Sequence, residues 1–264
     1  MKTLERLKVD GLLSTEFSKF ESRLWRQMQR EGLKTVLMTS AVRGEGKSTS
    51  VAYLATSMGL YPGRRVLALD FDFRIPAMGS QFGLTPNVGL ERVLEGDARF
   101  SDAVMSTELP GLDLALPSPA GADASLLLRT QVLRELFAGV RDSYDLVLID
   151  TPAIIPVADP TMLIPFADGV ILAAMSGKTT EPQLRRAREI CEGMDANLIG
   201  LVVSNVEEAA PDYISDGYGY GYHEPRPSPL PKSQPEQSPA RSGHRAPMPT
   251  KSNGPRRRKP AGRQ

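Results

Sequence analysis

The sequence has little cysteine and no long apolar run, and each scarcity excludes a class of protein. A single cysteine, Cys191, excludes an intrachain disulfide and fits a reducing compartment. Residues 1–10 lack the apolar core of a secretory signal. The most apolar long stretch, residues 154–175, is interrupted by Asp159, Asp168 and three prolines, whereas a spanning helix needs about 20 mostly apolar residues. We therefore expect no transmembrane segment, so that any membrane role requires a partner.

Charge is distributed unevenly along the chain. The net charge is +1, but residues 223–264 hold ten Lys/Arg and two Asp/Glu, a net of +8, which leaves +1 − 8 = −7 for the remainder. This segment also holds ten of the 22 prolines and almost no large apolar residues. Because it cannot bury enough surface to offset its ordering entropy, we predict a disordered, basic tail. Residues 256–259 could bind anionic lipid, nucleic acid or an acidic polymer, but a solvated extension explains them as well, and no specific nucleic acid is expected.

Apolar runs alternate with helical stretches along the rest of the chain. Six runs are typical of strands in a parallel sheet covered on both faces, at residues 35–39, 66–70, 112–116, 146–150, 169–174 and 198–204. Helices are predicted between them at residues 48–58, 89–94, 126–140 and 181–194. An amphipathic helix over residues 14–31 places Phe17, Phe20, Leu24 and Met28 on one face, which we expect to pack on the core. The alternation predicts an α/β fold with a doubly wound, mostly parallel sheet flanked by helices, whose ligands bind beyond the carboxyl ends of the strands.

A glycine-rich turn follows the first predicted strand. Residues 41–48, AVRGEGKS, fit the phosphate-loop pattern GxxxxGK[ST] except that Ala41 replaces the first glycine. In such a loop the backbone N–H groups curl around a phosphate, Lys47 reaches the outer phosphates, and the hydroxyl of Ser48 can bind Mg²⁺. The sequence therefore predicts a P-loop NTPase-like fold with a nucleotide at this turn. The nucleotide-binding residues predicted in the turn are Arg43, Gly44, Glu45, Gly46, Lys47, Ser48 and Thr49.

Carboxylates follow two further predicted strands. Asp70, Asp72 and Arg74 stand at alternate positions, so an extended backbone would point all three side chains to one face. Asp150 follows the apolar run at residues 147–149. Carboxylates at this edge of a sheet can hold a hard cation or accept a proton from an attacking hydroxyl. Because Mg²⁺ arrives with a nucleotide, Ser48, Asp72 and Asp150 would supply its ligands from the protein.

With these motifs the sequence resembles the bacterial tyrosine kinases (BY-kinases) of capsule and exopolysaccharide production. The family's distinguishing motif is an apolar strand followed by Asp-x-Asp-x-Arg, which Asp70, Asp72 and Arg74 match, and Pro76 continues the pattern. The GEGKST form of the phosphate loop is also typical, as are DGVIL at residues 168–172 and GKT at residues 177–179. The resemblance covers residues 16–222.

The resemblance implies a protein-tyrosine autokinase that uses ATP and Mg²⁺ and regulates polysaccharide polymerisation and export. The catalytic residues implied are Lys47, Asp70, Asp72, Arg74 and Asp150. Lys47 would contact the β- and γ-phosphates, Asp70 would act as base toward the tyrosine hydroxyl, and Arg74 would stabilise charge on the phosphates. Asp72 and Asp150 would assist the metal. Asn205, at the end of the last strand, would contact the nucleotide.

The resemblance also implies acceptor tyrosines and subunit contacts. Four of the seven tyrosines lie within ten residues, separated by glycines, and the implied phosphoacceptors are Tyr213, Tyr218, Tyr220 and Tyr222. A Gly/Tyr-rich linker without phosphorylation is the alternative. The family's first helix carries Glu-x-x-Arg-x-x-Arg, which joins subunits into a ring. Glu16, Lys19 and Ser22 stand at those positions, with Arg23 and Arg26 nearby, so the sequence allows a homo-oligomer but does not predict its assembly as a ring.

The predicted organisation has four parts. An N-terminal helix and oligomerisation region spans residues 1–32, a P-loop kinase domain 33–207, the tyrosine cluster 208–222 and the basic tail 223–264. Without a spanning segment, the chain looks like the cytoplasmic, stand-alone type of the family. That type would be recruited to the inner face of the membrane by the cytoplasmic segment of a membrane polysaccharide co-polymerase, which would also activate it.

Two other functions stay open. Partitioning and site-positioning ATPases share the phosphate loop, but they usually carry a second lysine early in it, where Val42 stands. A nucleotide-gated, non-catalytic adaptor of the export machinery would need only to bind ATP.

Overall fold

A seven-stranded sheet forms the centre of the computed structural model, which describes residues 11–120 and 124–206. In chain order the strands are β1 (Thr35–Ser40), β2 (Val66–Asp70), β3 (Val104–Ser106), β4 (Leu112–Ala115), β5 (Leu146–Asp150), β6 (Gly169–Met175) and β7 (Leu198–Ser204). Their order across the sheet is β3-β4-β2-β5-β1-β6-β7. All neighbours run parallel except β3 and β4. The strand that leads into the glycine-rich turn, β1, therefore lies between β5 and β6, with two carboxylate-bearing strands on one side.

Helices connect the strands and cover both faces of the sheet. In chain order they are α1 (Gly11–Glu31), α2 (Lys47–Gly59), α3 (Met78–Phe82), α4 (Leu90–Glu95), α5 (Phe100–Ala103), α6 (Ala124–Leu127), α7 (Thr130–Ser143), α8 (Asp159–Leu163), a 3₁₀ turn (Ile164–Phe166) and α9 (Glu181–Glu192). None of the helices in the described ranges is long and apolar enough to cross a membrane.

Alternate residues of the central strands enter opposite core layers. In β2, Val66 and Ala68 face the layer that contains α1 and α2, whereas Leu67 and Leu69 face the layer that contains α7 and α9. A strand buried on both faces needs a continuous apolar run, which is why the alternation of polar and apolar residues is absent from these strands. Cys191 lies buried in the second layer, and burial raises the pKa of its thiol to about 11.

The first helix packs on the core through the face that its periodicity indicates. Leu24 and Met28 are buried, and the ring of Phe17 stacks on that of Tyr53 at 4.9 Å between centroids. Arg64 lies 3.9 Å from the ring of Trp25 and donates to the buried carboxylate of Glu21 at 2.8 Å. The prediction of a core-packing helix is thus confirmed, and the helix begins at Gly11, three residues before the predicted start.

The six predicted strands are present, with ends that differ by at most one residue. The predicted helix over residues 126–140 is present but interrupted, because residues 126–127 belong to α6 and residues 130–140 to α7. The backbone of Arg129 is extended, at φ −83° and ψ 129°, and it separates α6 from α7. Buried Leu127 and Leu128 hold the chain against the core at this break, and Arg129 donates to the Leu94 carbonyl at 3.1 Å. Helical periodicity alone does not reveal a break that tertiary contacts impose.

Short elements were not predicted from the sequence. They are β3, α3, α5, α8 and the 3₁₀ turn, each of three to five residues. Elements this short carry less than two turns of periodicity, so the pattern has nothing to repeat. The predicted tyrosine cluster (208–222) and basic tail (223–264) lie outside the described residues.

Candidate functional site

The carboxyl ends of five parallel strands meet at one edge of the sheet. The glycine-rich turn follows β1, Asp70 ends β2, Asp150 ends β5, a turn at residues 176–179 follows β6, and Asn205 follows β7. Ligands of doubly wound sheets bind at this edge. The fold therefore brings together the three motifs that the sequence singled out.

The turn after β1 has the backbone geometry of an anion-binding loop. Gly44 and Gly46 have φ of 77° and 84°, values that side-chain-bearing residues rarely adopt, and α2 begins at Lys47 directly after them. The amino end of this 13-residue helix points its free N–H groups into the loop. Ala41 is not among the residues with positive φ, so alanine in place of the usual glycine causes no backbone strain.

Two aspartates lie side by side beneath the loop. Asp70 and Asp150 are register partners on the parallel strands β2 and β5, and both are fully buried. Neither carboxylate oxygen of Asp150 has a hydrogen-bond partner among the described residues. The Ser48 hydroxyl lies close enough to lower the pKa of Asp150, although the contact falls short of hydrogen-bond geometry. A buried carboxylate without partners is costly unless a ligand or cation satisfies it.

Burial sets the protonation of this pair. It raises the pKa of Asp150 well above its usual value, and the nearby Asp70 carboxylate raises it further. Burial likewise raises the pKa of Asp70 to about 7, although the backbone N–H groups of Asp72 and Met78 donate to it at 2.9 and 3.2 Å and oppose the shift. Two adjacent carboxylates in an apolar surrounding favour a shared proton until a cation arrives.

Asp72 connects the aspartate pair to the cations of the loop. It is half-buried, and burial raises the pKa of its carboxyl, while Lys47 and Arg43 oppose that shift. Its Oδ1 accepts from the backbone N–H of Ile75 at 3.0 Å. We call Asp70, Asp72 and Asp150 the acidic side of the loop.

Arg74 does not continue an extended row with the two aspartates. Strand β2 ends at Asp70 and the chain bends at Arg74, so the arrangement that would point all three side chains to one face is not kept. The Asp70 side chain itself accepts the N–H of Asp72, which turns the backbone. Arg74 donates from Nε to the nearly buried Asp159 at 3.0 Å, at the start of α8.

The opposite side of the loop carries a network that the sequence did not predict. The side chain of Glu45, inside the glycine-rich turn, is fully buried and accepts the backbone N–H of Val42 at 2.8 Å and the hydroxyl of Thr179. Lys178 donates to the Gly44 carbonyl at 3.0 Å, and the Ser204 hydroxyl to the Glu45 carbonyl at 3.3 Å. The GKT motif at residues 177–179 is typical of the family, but the sequence predicts no role for it. A buried glutamate needs hydrogen-bond donors nearby, so Glu45 within the glycine-rich turn is the sequence feature from which this network could have been predicted.

The remaining predicted nucleotide-binding residues lie at the same edge. Thr49 is in the first turn of α2 and accepts from the side-chain amide of Gln81 at 3.4 Å. Asn205 directly follows Ser204, is exposed, and has a φ of 59°. Tyr213, Tyr218, Tyr220 and Tyr222 lie outside the described residues.

The acidic side suits a cation that brings most of its own ligands. In the part of the chain that the structure describes, no group of three or more His, Cys, Asp or Glu residues is arranged to hold a metal ion by itself. Ser48, Asp72 and Asp150 can instead complete the shell of a hard cation already bound to phosphate oxygens and water. The carboxylate oxygens of Asp150, which have no hydrogen-bond partner in the described ranges, fit this use.

Comparison with known proteins gives consistent matches. The family described as AAA domain matches residues 33–180. The tyrosine-protein kinase YwqD of Bacillus subtilis is 36% identical over 172 residues, which are 65% of this chain and 72% of that protein. The solved VpsO kinase domain is 30% identical, with a TM-score of 0.61 over 66% of this chain and 85% of that one. The BceF tyrosine kinase domain is 25% identical, with a TM-score of 0.68 over 75% and 80%.

Proposed function

Since the chain belongs to the bacterial tyrosine kinases of capsule and exopolysaccharide synthesis, and is thus a protein-tyrosine kinase, we propose that it binds ATP with Mg²⁺ at the loop edge of the sheet. It transfers the γ-phosphoryl group to its own tyrosines at positions 213, 218, 220 and 222. The observation that carries the proposal is the buried Asp150 carboxylate, which lies beside Ser48 and Lys47 and has no hydrogen-bond partner among the described residues.

The loop and α2 bind the triphosphate. The N–H groups of residues 44–48 surround the phosphates, and the ammonium of Lys47 neutralises charge on the β- and γ-phosphates. Arg43 is exposed at the rim of the loop, where its guanidinium can contact the outer phosphates. Thr49 supports the first turn of the helix, and Asn205 contacts the nucleotide from the end of β7.

The acidic side holds the metal and handles the proton. Ser48, Asp72 and Asp150 would hold Mg²⁺, which when bound neutralises charge that develops on the transferred group. Asp70 is the proposed base because its pKa of about 7 matches neutral pH. Its side chain is fully buried, whereas Asp72 is half-buried, so the tyrosine proton reaches Asp70 through water or through Asp72.

Arg74 acts from the edge of the site. In the structure its side chain is 41% exposed and paired with Asp159. We propose that it exchanges this partner for the phosphates when nucleotide is bound, because a guanidinium binds phosphate oxygens as well as it binds a carboxylate.

The proposed partner is the cytoplasmic segment of a membrane polysaccharide co-polymerase, which would recruit this cytoplasmic chain to the inner face of the membrane. A homo-oligomer would allow phosphorylation between subunits. Lys19 and Ser22 are exposed on α1, at the positions where ring-forming arginines would stand. Neither residue presents a guanidinium fork, so any self-association uses different contacts.

The test is phosphotyrosine mass spectrometry after incubation with ATP and Mg²⁺, with and without a co-polymerase cytoplasmic segment. We expect phosphate on the C-terminal tyrosines in the wild type and none in Lys47→Met, which removes the cation that faces the phosphates. Lys34→Met is the matched control, since Lys34 is an exposed lysine that donates to the Arg141 carbonyl at 2.9 Å, outside the site. Bound ATP without phosphotyrosine under either condition would contradict the autokinase and favour a nucleotide-gated adaptor.

A further inference from the structure

Two consecutive carbonyl groups of the phosphate loop are held from outside the loop. The Gly44 carbonyl accepts from the Lys178 ammonium at 3.0 Å, and the Glu45 carbonyl accepts from the Ser204 hydroxyl at 3.3 Å. Lys178 follows β6 and Ser204 ends β7, so both donors come from the half of the sheet opposite the acidic side. The approach of Lys178 depends on glycine at position 44, because a Cβ there would lie 2.7 Å from its Nζ.

Fixing these carbonyls also fixes two N–H groups. A trans peptide is planar, and its N–H points opposite to its C=O. The Gly44 carbonyl shares a peptide plane with the N–H of Glu45, and the Glu45 carbonyl shares one with the N–H of Gly46. When Lys178 and Ser204 hold the carbonyls outward, the two N–H groups are directed to the other face of the loop, where phosphate binds.

The Glu45 side chain ties the loop to the same outside residues. Its Oε2 accepts the N–H of Val42 at 2.8 Å, which closes the loop on itself, and its Oε1 accepts the Thr179 hydroxyl. That hydroxyl oxygen accepts the N–H of Met175 at 2.8 Å, so its proton is committed to Glu45. A buried carboxylate that accepts from two donors is a strong point of attachment.

The outside residues are themselves held rigidly. The N–H groups of Lys178 and Thr179 donate to the Met175 carbonyl at 3.1 and 2.9 Å, and Ser176 N–H donates to the Ser204 carbonyl at 2.9 Å. The next residue, Thr180, is the N-cap of α9 and forms a reciprocal capping box with Gln183. A donor fixed to two strand ends and a helix start can position a loop without moving with it.

We propose that Lys178, Thr179 and Ser204, which we call the brace, are positioning residues that hold the phosphate loop in its anion-binding conformation before nucleotide arrives. The inference rests on the proposed function, since it assumes that the loop binds phosphates. Gly44 and Gly46 leave the loop backbone with unusual freedom, and ordering it only upon binding would weaken affinity. The brace removes that freedom in advance.

The brace predicts a particular pattern of defects. Because it acts on the loop and not on one phosphate, its loss weakens ADP and ATP binding by similar factors. The KM for ATP rises, while kcat at saturating ATP changes little, because bound nucleotide restores the loop. The Lys178 contact is charge-assisted and contributes more than the Ser204 hydroxyl, whose single proton is divided between the Glu45 and Ala174 carbonyls.

The experiment compares Lys178→Met, Lys178→Arg and Thr179→Val with wild type by calorimetric titration of ADP and of ATP. We expect Lys178→Met to weaken both nucleotides about three- to tenfold, the range for a lost hydrogen bond at an exposed position, with an unchanged melting temperature. Lys178→Arg should recover part of the loss. Lys34→Met, which removes another exposed lysine bonded to a carbonyl, should bind as wild type does.

Hydrogen exchange of the nucleotide-free protein gives an independent reading. The amide of Val42, which donates to Glu45, and that of Ser50, which donates to the Gly46 carbonyl, both at 2.8 Å, should exchange faster in Lys178→Met and in Thr179→Val than in wild type, while amides of β1 stay protected. Unchanged exchange, or a loss of ATP binding without a loss of ADP binding, would overturn the brace and make Lys178 a direct phosphate contact. If the wild type bound neither nucleotide, the proposed function would fail, and exchange at the loop would still decide whether the brace orders it.

Discussion

The phosphate loop lies between two sides that differ in whether their buried carboxylates have hydrogen-bond partners. On the acidic side, Asp70 and Asp150 are buried next to each other, and Asp150 has no hydrogen-bond partner among the described residues. On the brace side, Glu45 is buried just as completely, yet both of its carboxylate oxygens accept hydrogen bonds. A buried carboxylate therefore lacks hydrogen bonds on one side of the loop and has them on the other.

This difference indicates that the acidic side serves ligand binding, whereas the brace side sets the conformation of the loop. A satisfied buried network makes a conformation rigid, whereas an unsatisfied buried charge costs stability until something binds to it. The brace side can therefore define the loop, and the acidic side can contribute free energy to binding a cation with its nucleotide. The two sides predict different consequences for the same kind of substitution.

The largest expected effect comes from removing the partnerless carboxylate. Asp150→Asn should lower the rate of tyrosine phosphorylation by about a thousandfold, since it removes a buried carboxylate proposed to hold Mg²⁺. The same change should leave the melting temperature equal or higher, because it relieves repulsion from Asp70. Rate assays with thermal denaturation at pH 8 test both parts. A rate within tenfold of wild type would show that the acidic side is not used in the chemistry.

Stability should depend on pH through Asp70. Its pKa is about 7 in the folded chain and near 3.8 when unfolded, so the folded state binds the extra proton between those values. The contribution is fully present below pH 3.8 and is lost as pH rises to 7. Between pH 5 and pH 8 the free energy of unfolding should fall by about 2–3 kcal/mol from this group. Urea unfolding should show a flatter pH dependence in Asp70→Asn.

Asp168 provides the opposite case for comparison. Burial raises its pKa, but Arg141 at 2.7 Å and the N–H groups of Lys34 and Thr35 outweigh burial, and the net shift is downward. Its contribution is present above the unfolded pKa and is lost as pH falls, so Asp168→Asn should destabilise the protein at both pH 5 and pH 8. If Asp70→Asn and Asp168→Asn changed the pH dependence alike, burial would not be what distinguishes the two aspartates.

Much of this arrangement was visible in the sequence, and what was missed has a physical reason. The strands 35–39, 66–70 and 146–150 are continuous apolar runs, and their ends carry the polar motifs, so the parallel sheet and its binding edge could be predicted. The hydrogen bonds between residues far apart in the sequence could not be predicted. Nothing local indicates that Lys178 and Ser204 reach the carbonyls of residues 44 and 45, because those contacts join positions more than a hundred residues apart.

The missed break at Arg129 and the bend after Asp70 share one cause. In both places a specific hydrogen bond overrides the local periodicity. Arg129 donates to the Leu94 carbonyl, and the Asp72 N–H donates to the Asp70 side chain. Helical or extended spacing describes what a segment prefers by itself. It does not include a specific hydrogen bond, whether to a distant carbonyl, as at Arg129, or to a nearby side chain, as at Asp70.

The smallest expected effect tests whether Arg74 contacts the phosphates or only pairs with Asp159 in the fold. If Arg74 moves to the phosphates, Arg74→Met should slow phosphorylation about tenfold, while Asp159→Asn, which releases the arginine, should change the rate less than twofold. If the ion pair serves only the fold, both variants should lose similar stability and neither should lose rate. Because the Arg74 side chain is 41% exposed, the pair itself contributes no more than about 1 kcal/mol. Single-turnover rates with urea unfolding of both variants separate these outcomes, and equal rate losses would show that Arg74 needs Asp159 to position it.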